Sequence, residues 1–146
     1  MPKADHLAFL VADVFEAAGA LRVHGDQLAA AVGQSQARWQ VLSVLSEGDW
    51  TVATAARRLG VTRQNVQRIA DLLVTDGLAR YDLNPRHNGS PFVRLTARGR
   101  QALEVITAAS LAWRRDAATG IPDEHLSIAR DVLRVLTTRA RAGSQR

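Results

Sequence analysis

Apolar residues recur every three or four positions along most of this chain, a spacing that predicts a protein built mainly from helices. Leu7, Leu10, Val11, Val14, Ala18 and Leu21 make one stripe across residues 4–22, with Asp5, Asp13, Glu16 and Arg22 mostly off it. His24-Gly25 reads as an interruption. Leu28 to Val32 then resume helical spacing up to Gly33, placed as a helix-ending residue. Ser35 is positioned to cap a third stretch, 36–46, where Trp39, Val41, Leu42, Val44 and Leu45 cover more than one face, so this helix is expected at the centre of the fold.

After a turn at Glu47-Gly48-Asp49, residues 51–59 predict a short helix with Val52, Ala55, Ala56 and Leu59 on one side and Gly60 at its end. Thr62 is a good N-cap for the next helix, in which Val66, Ile69, Ala70 and Leu73 form the buried stripe and Gly77 the stop. Two helices joined through Gly60-Val61-Thr62 make a helix-turn-helix. Residues 78–82 and 92–95 each read as a short strand. The loop between them holds the turn formers Asn84-Pro85 and Asn88-Gly89, so a hairpin with a long tip is expected. Thr96 then caps a helix running to about Thr119, with Leu103, Ile106, Ala109 and Trp113 in its stripe. Gly120 breaks that helix and Pro122 starts a last one, striped by Leu126, Ala129, Val132, Leu133 and Leu136. The expected fold is mainly α with a small β-wing: a winged helix-turn-helix over about 35–100, flanked by helical segments at about 4–32 and 100–142.

Composition sharpens this picture through the distribution of charge. The chain has 146 residues and a formal net charge of +5. Residues 51–100 hold nine arginines against three aspartates, net +6, which leaves −1 for the flanks. A basic excess confined to the helix-turn-helix and hairpin is the electrostatic footprint of nucleic-acid binding. At the start of the second helix of the pair, Arg63, Gln64, Asn65, Gln67 and Arg68 carry the donor and acceptor groups used on base edges in the major groove.

Other chemistries find little material. There is no cysteine, which removes thiol catalysis, disulfides and thiolate metal sites. His6, His24, His87 and His125 lie on separate elements with no carboxylate at metal-binding spacing, and no Ser or Thr sits in a nucleophile context, so neither a metal, a cofactor nor an enzyme is expected. Acidic residues near the amino terminus do not suit a secretory signal, and no apolar run approaches the length of a membrane span. A cytoplasmic protein is expected.

The order Thr51-Val52, Ala56-Arg57-Arg58-Leu59-Gly60-Val61-Thr62-Arg63-Gln64-Asn65-Val66, Arg68, Asp76-Gly77-Leu78, Asn84-Pro85 and Val93, Leu95-Thr96, Gly99 resembles the MarR family of bacterial winged-helix transcriptional regulators. The resemblance extends over nearly the whole chain, including residues 36–42. It implies a homodimer, with the N-terminal helix and the last two helices of each subunit intertwined, presenting two winged helices to a pseudo-palindromic operator in double-stranded DNA. It also implies a repressor relieved by a small phenolic or anionic effector. Carried over by position, it places base readout on Gln64, Asn65 and Arg68, with Arg63 and Gln67 alongside. Thr62, Arg58 and Arg94 are the expected DNA backbone contacts, and Trp39 is the candidate for lining an effector pocket.

In many members the wing carries an Asp-x-Arg or Arg-Arg pair whose arginine enters the minor groove. Here the aligned positions are Asn88 and Gly89, so Arg86 and His87 just upstream are the candidates for that task. That departure keeps a second reading open: a winged-helix protein-interaction module that does not bind DNA.

Overall fold

A computed structural model describes residues 1–145. Two compact units divide the chain, one running from Met1 to Ser110 and the other from Leu111 onward.

The first unit begins with α1 (Lys3–Ala30), one continuous helix. His24-Gly25 does not interrupt it, contrary to the expectation from sequence. Gly25 is buried because α2 (Gln36–Leu45) crosses there: a Cβ on Gly25 would lie 1.7 Å from Oε1 of Gln36. Asp26 fastens the same crossing by accepting from the backbone N–H of Gln36 at 2.6 Å. The glycine therefore serves close approach between helices rather than a break. α2 starts as expected, with Ser35 Oγ accepting from the N–H of Arg38, and its residues Val41, Leu42, Val44 and Leu45 are all buried.

Next come β1 (Trp50–Thr51), α3 (Val52–Leu59) and α4 (Arg63–Thr75). Thr51 and Thr54 form a reciprocal capping box at the start of α3, and Gly60 ends it in the left-handed region at φ 70°. Thr62 caps α4 by accepting from the N–H of Asn65 at 3.1 Å. Val66, Ile69, Ala70 and Leu73 turn inward, as their spacing predicts. β2 (Ala79–Asp82) and β3 (Phe92–Leu95) form the hairpin, antiparallel with Tyr81 opposite Val93. β1 adds a third strand on the free side of β3, giving the order β1-β3-β2. The sequence pattern did not reveal it, because two residues carry no alternation to read.

One cluster of buried residues joins α2, α4, β2, β3 and, through Ala102, the start of α5 (Ala97–Ala117), with Leu42 and Leu73 fully enclosed. Thr96 locks the entry to α5. Its Oγ1 donates to the carbonyl of Gly77 at 2.6 Å and accepts from the N–H of Gly99 at 3.1 Å.

The second unit contains the end of α5 and α6 (Asp123–Gly143), joined through Gly120 in the left-handed region and capped by Pro122. The apolar stripe of α6 is present as expected, yet none of its residues is buried: Leu126, Val132 and Leu133 are 38–42% exposed.

Candidate nucleic-acid interface

Thr62 caps α4, and packing of Val66, Ile69 and Ala70 against the core leaves the opposite side of its first two turns in solvent. Arg63, Gln64, Gln67 and Arg68 are exposed, Asn65 is half-buried, and Thr62, Gln64, Asn65, Gln67, Arg68 and Asp71 line one shallow surface groove. The sequence-predicted readout residues are thus gathered on one solvent face of one helix. Two of them are already held by neighbours. Arg68 donates from Nη2 to Asn65 Oδ1 at 3.1 Å. Gln67 donates from Nε2 to Asp71 Oδ1 and to the Tyr81 hydroxyl, each at 3.0 Å.

Tyr81 and Asp71 belong to the site although neither was singled out from the sequence. The Tyr81 hydroxyl is hydrogen-bonded to Asp71 Oδ1, tying β2 to the recognition helix. Partial burial, reinforced by that carboxylate, pushes the Tyr81 hydroxyl up to about 12, so it stays protonated as a donor. The i, i+4 spacing of Gln67 and Asp71 was the one sequence signal for this cluster. Tyr81 arrives by strand pairing, which local spacing does not report. A cleft of about 230 Å³ lies between the helix and the wing, lined by Arg63, Gln67, Asp71, Tyr81, Ser90 and Pro91 among others.

Asn84 organises the wing tip. It is 7% exposed, donates to the carbonyl of Ser90 at 3.0 Å and accepts from the N–H of Arg86 at 3.1 Å. The tip therefore closes on itself and leaves Arg86, His87 and Asn88 exposed. Arg86 and His87 also line a groove with Arg57 and Thr54 of α3.

Arg94, an expected backbone contact, is engaged by carboxylates of its own chain. It pairs with Asp49 at 2.9 Å and Asp82 at 3.0 Å, and its guanidinium stands 5.0 Å from the Phe92 ring centre. These partners hold the Asp82 carboxyl below the usual range, the Arg94 hydrogen bond contributing most and Arg80 adding to it. Arg94 is thus a brace between the sheet and the loop before β1. Arg80 is drawn in as well, at 3.1 Å from Asp82, and Arg58 lies 3.7 Å from Glu47. Within residues 51–100, Arg57, Arg63, Arg68, Arg86, Arg98 and Arg100 have no carboxylate partner among the described residues, so the unpaired positive charge of this segment lies on the helix pair, the wing tip and the start of α5. Trp39 is half-buried on α2, outside the residues that line the cleft.

A capped recognition helix, a preceding helix at a glycine turn and a three-stranded wing together define a winged helix-turn-helix protein. The family model described as MarR family matches residues 32–87. An uncharacterised protein of Mycobacterium tuberculosis is 50% identical over 130 residues, covering 89% of this chain and 91% of the relative. Among solved structures, the transcriptional regulator BldR from Sulfolobus solfataricus superposes with a TM-score of 0.84 at 18% identity, over 94% of this chain and 99% of that one. The M. tuberculosis regulator MosR, solved in complex with DNA, gives 0.76 at 24% identity, over 90% and 96%. CouR from Rhodococcus jostii RHA1, solved with p-coumaroyl-CoA, gives 0.78 at 21%, over 91% and 92%. The chain belongs to the MarR family, a family of transcription regulators. Among the described residues, no helix is long and apolar enough to cross a membrane.

Proposed function

We propose that this regulator works as a homodimer that reads a pseudo-palindromic operator in double-stranded DNA and represses transcription from it. The observation that carries this reading is the start of α4, where burial of Val66, Ile69 and Ala70 leaves Arg63, Gln64, Gln67 and Arg68 on one solvent face. Gln64, Asn65 and Arg68 are assigned to base edges in the major groove, with Arg63 and Gln67 beside them. Thr62 and Arg58 face the phosphate backbone, and Arg86, His87 and Asn88 form the part of the wing that reaches DNA. Arg94 is left out of the contact set because Asp49 and Asp82 occupy its guanidinium.

Two apolar faces support a dimer. On α1, Leu7, Leu10, Val11 and Leu21 are exposed; on α6, Leu126, Val132 and Leu133 are exposed. Burying such stripes against a second copy returns about 25 cal/mol for each Å² of apolar surface removed from water. Two-fold symmetry then sets half-sites ~10 bp apart, or a near multiple. The DNA complex of MosR and the p-coumaroyl-CoA complex of CouR support DNA and a small phenolic or anionic effector as the two ligand classes.

Selection of binding sites from a random duplex library tests the proposal. A symmetric enriched site, released on adding phenolic acids or their CoA esters, is the expected outcome. Failure of the intact dimer to retard any duplex at low salt would favour the protein-interaction module instead.

A further inference from the structure

Gln67 sits where the recognition helix meets β2, and its amide faces two oxygens. Nε2 lies 3.0 Å from Asp71 Oδ1 and 3.0 Å from the Tyr81 hydroxyl oxygen, and that hydroxyl is itself hydrogen-bonded to Asp71 Oδ1. An ionised carboxylate only accepts, and a phenol has one proton to give. Tyr81 gives its proton to Asp71, so toward Gln67 the phenol oxygen is an acceptor too. Both neighbours of the amide are therefore acceptors, and only the NH₂ end can face them. Turned over, the amide would set Oε1 against a carboxylate oxygen and forfeit both bonds. A glutamine on an open helix face has no such bias, because its amide turns freely to donate or to accept.

We propose, on the reading that α4 enters the major groove, that Asp71 and Tyr81 are positioning residues that fix the amide polarity of Gln67. Oε1 is the atom left outside the cluster, and it selects an exocyclic amine, adenine N6 or cytosine N4, over guanine O6 or thymine O4. Gln67 lines both the cleft toward the wing and the groove along α4, so the tether acts on a side chain that fronts the expected DNA surface. The cluster makes an acidic residue useful on an otherwise basic face, since Asp71 orients a neighbour by accepting from it.

Site selection with the full-length dimer tests this, using wild type, Gln67→Ala, Asp71→Asn and Tyr81→Phe. All three positions are exposed, and thermal unfolding of each variant checks that the fold is kept. Gln67→Ala should flatten preference at one position per half-site and so identify the base that Gln67 reads. At that position wild type should enrich adenine or cytosine about tenfold over guanine or thymine, and Asp71→Asn, which permits either amide polarity, should reduce this to about twofold. Tyr81→Phe should fall between the two. Enrichment of guanine or thymine by wild type, an unchanged ratio in both Asp71→Asn and Tyr81→Phe, or no effect of Gln67→Ala would overturn the proposal. If wild type enriches no duplex at all, the underlying reading of DNA recognition fails, a result distinct from a symmetric site whose preferences ignore Asp71.

Discussion

Gly99 at the start of α5 lies directly over the carbonyl of Leu78 at the entry to β2, so close that an added Cβ would sit 1.9 Å from that oxygen. The neighbour is backbone, so rotamer changes offer no relief. Gly99→Ala is therefore expected to lower stability by ~1–3 kcal/mol, as overpacking does in tight sites. Chemical denaturation measures it, with Gly89→Ala as the control, because nothing lies within 4 Å of a Cβ there. Equal midpoints for the two variants would show that the α5 entry is not sterically closed.

Arg94 bridges Asp49 and Asp82, and the depressed Asp82 carboxyl gives that bridge a pH dependence of known sign. A carboxyl lowered in the folded state adds stability above its unfolded pKa of about 3.9 and loses it as the pH falls through its folded value. Asp82→Asn should therefore be less stable than wild type near pH 7, and the gap should close in the acid range below about pH 4. Thermal melts across pH measure the gap. A difference that persists undiminished in acid would mean that Asp82 acts through packing rather than charge.

Tyr81 is the one tyrosine of the chain, so its ionisation can be followed by ultraviolet absorbance without interference from another phenol. Its midpoint is expected near the value of about 12 to which burial and Asp71 push it. Asp71→Asn should bring it down toward the ordinary tyrosine value of about 10. The raised pKa adds stability below the unfolded value and loses it as the pH rises through the folded one. Circular dichroism in parallel ensures that the folded protein is being titrated, and a wild-type midpoint near ~10 would remove the Tyr81–Asp71 coupling.

Base readout and phosphate binding should separate by variant. Arg68→Ala is expected to cost ~1–3 kcal/mol on a selected operator and to relax preference at one position per half-site. Arg58→Ala should weaken all sequences alike and lower the salt slope by about 0.9 for each phosphate that Arg58 neutralises. Its exposed pairing with Glu47 at 3.7 Å is too weak to withhold it from DNA. An unchanged ratio of operator to random-duplex affinity in Arg68→Ala would remove Arg68 from base reading.

Leu133 lies on α6 with 42% of its surface exposed, in a stripe that has no buried member in the chain by itself. On the proposed dimeric assembly, Leu133→Glu should convert dimer to monomer, as measured by sedimentation equilibrium, and should weaken operator binding as a consequence. The isolated chain has little packing to lose at this position, so the winged helix should keep its fold. A variant that remains fully dimeric would place the interface elsewhere.

Helix order, caps and the polar face at the start of α4 are legible because they are local. Ser35 and Thr62 cap helices through N–H groups three residues on, and the buried residues of α4 follow its periodicity. His24-Gly25 does not end α1, and local sequence cannot tell a glycine that breaks a helix from one that admits a neighbouring helix. Only the position of Gln36 against Gly25 distinguishes them. The ion pairs of Arg94 are invisible to local spacing for a related reason: Asp49 and Asp82 are 45 and 12 residues away in sequence and meet it only through the pairing of β3 with β1 and with β2.

The amino-acid sequence by itself determined the winged helix-turn-helix, the concentration of basic charge in its middle third and the polar side chains at the start of α4. Spacing, capping and composition act over a few residues and need no knowledge of distant partners. Tertiary packing settles which of those charges are paired and how Gln67 and Arg68 are held. Asp82 and Asp49 pair with the Arg94 guanidinium, while Asp71 and Tyr81 accept hydrogen bonds from the Gln67 amide. Ion pairs and hydrogen bonds depend on distances of about 3 Å between groups that only chain folding brings together.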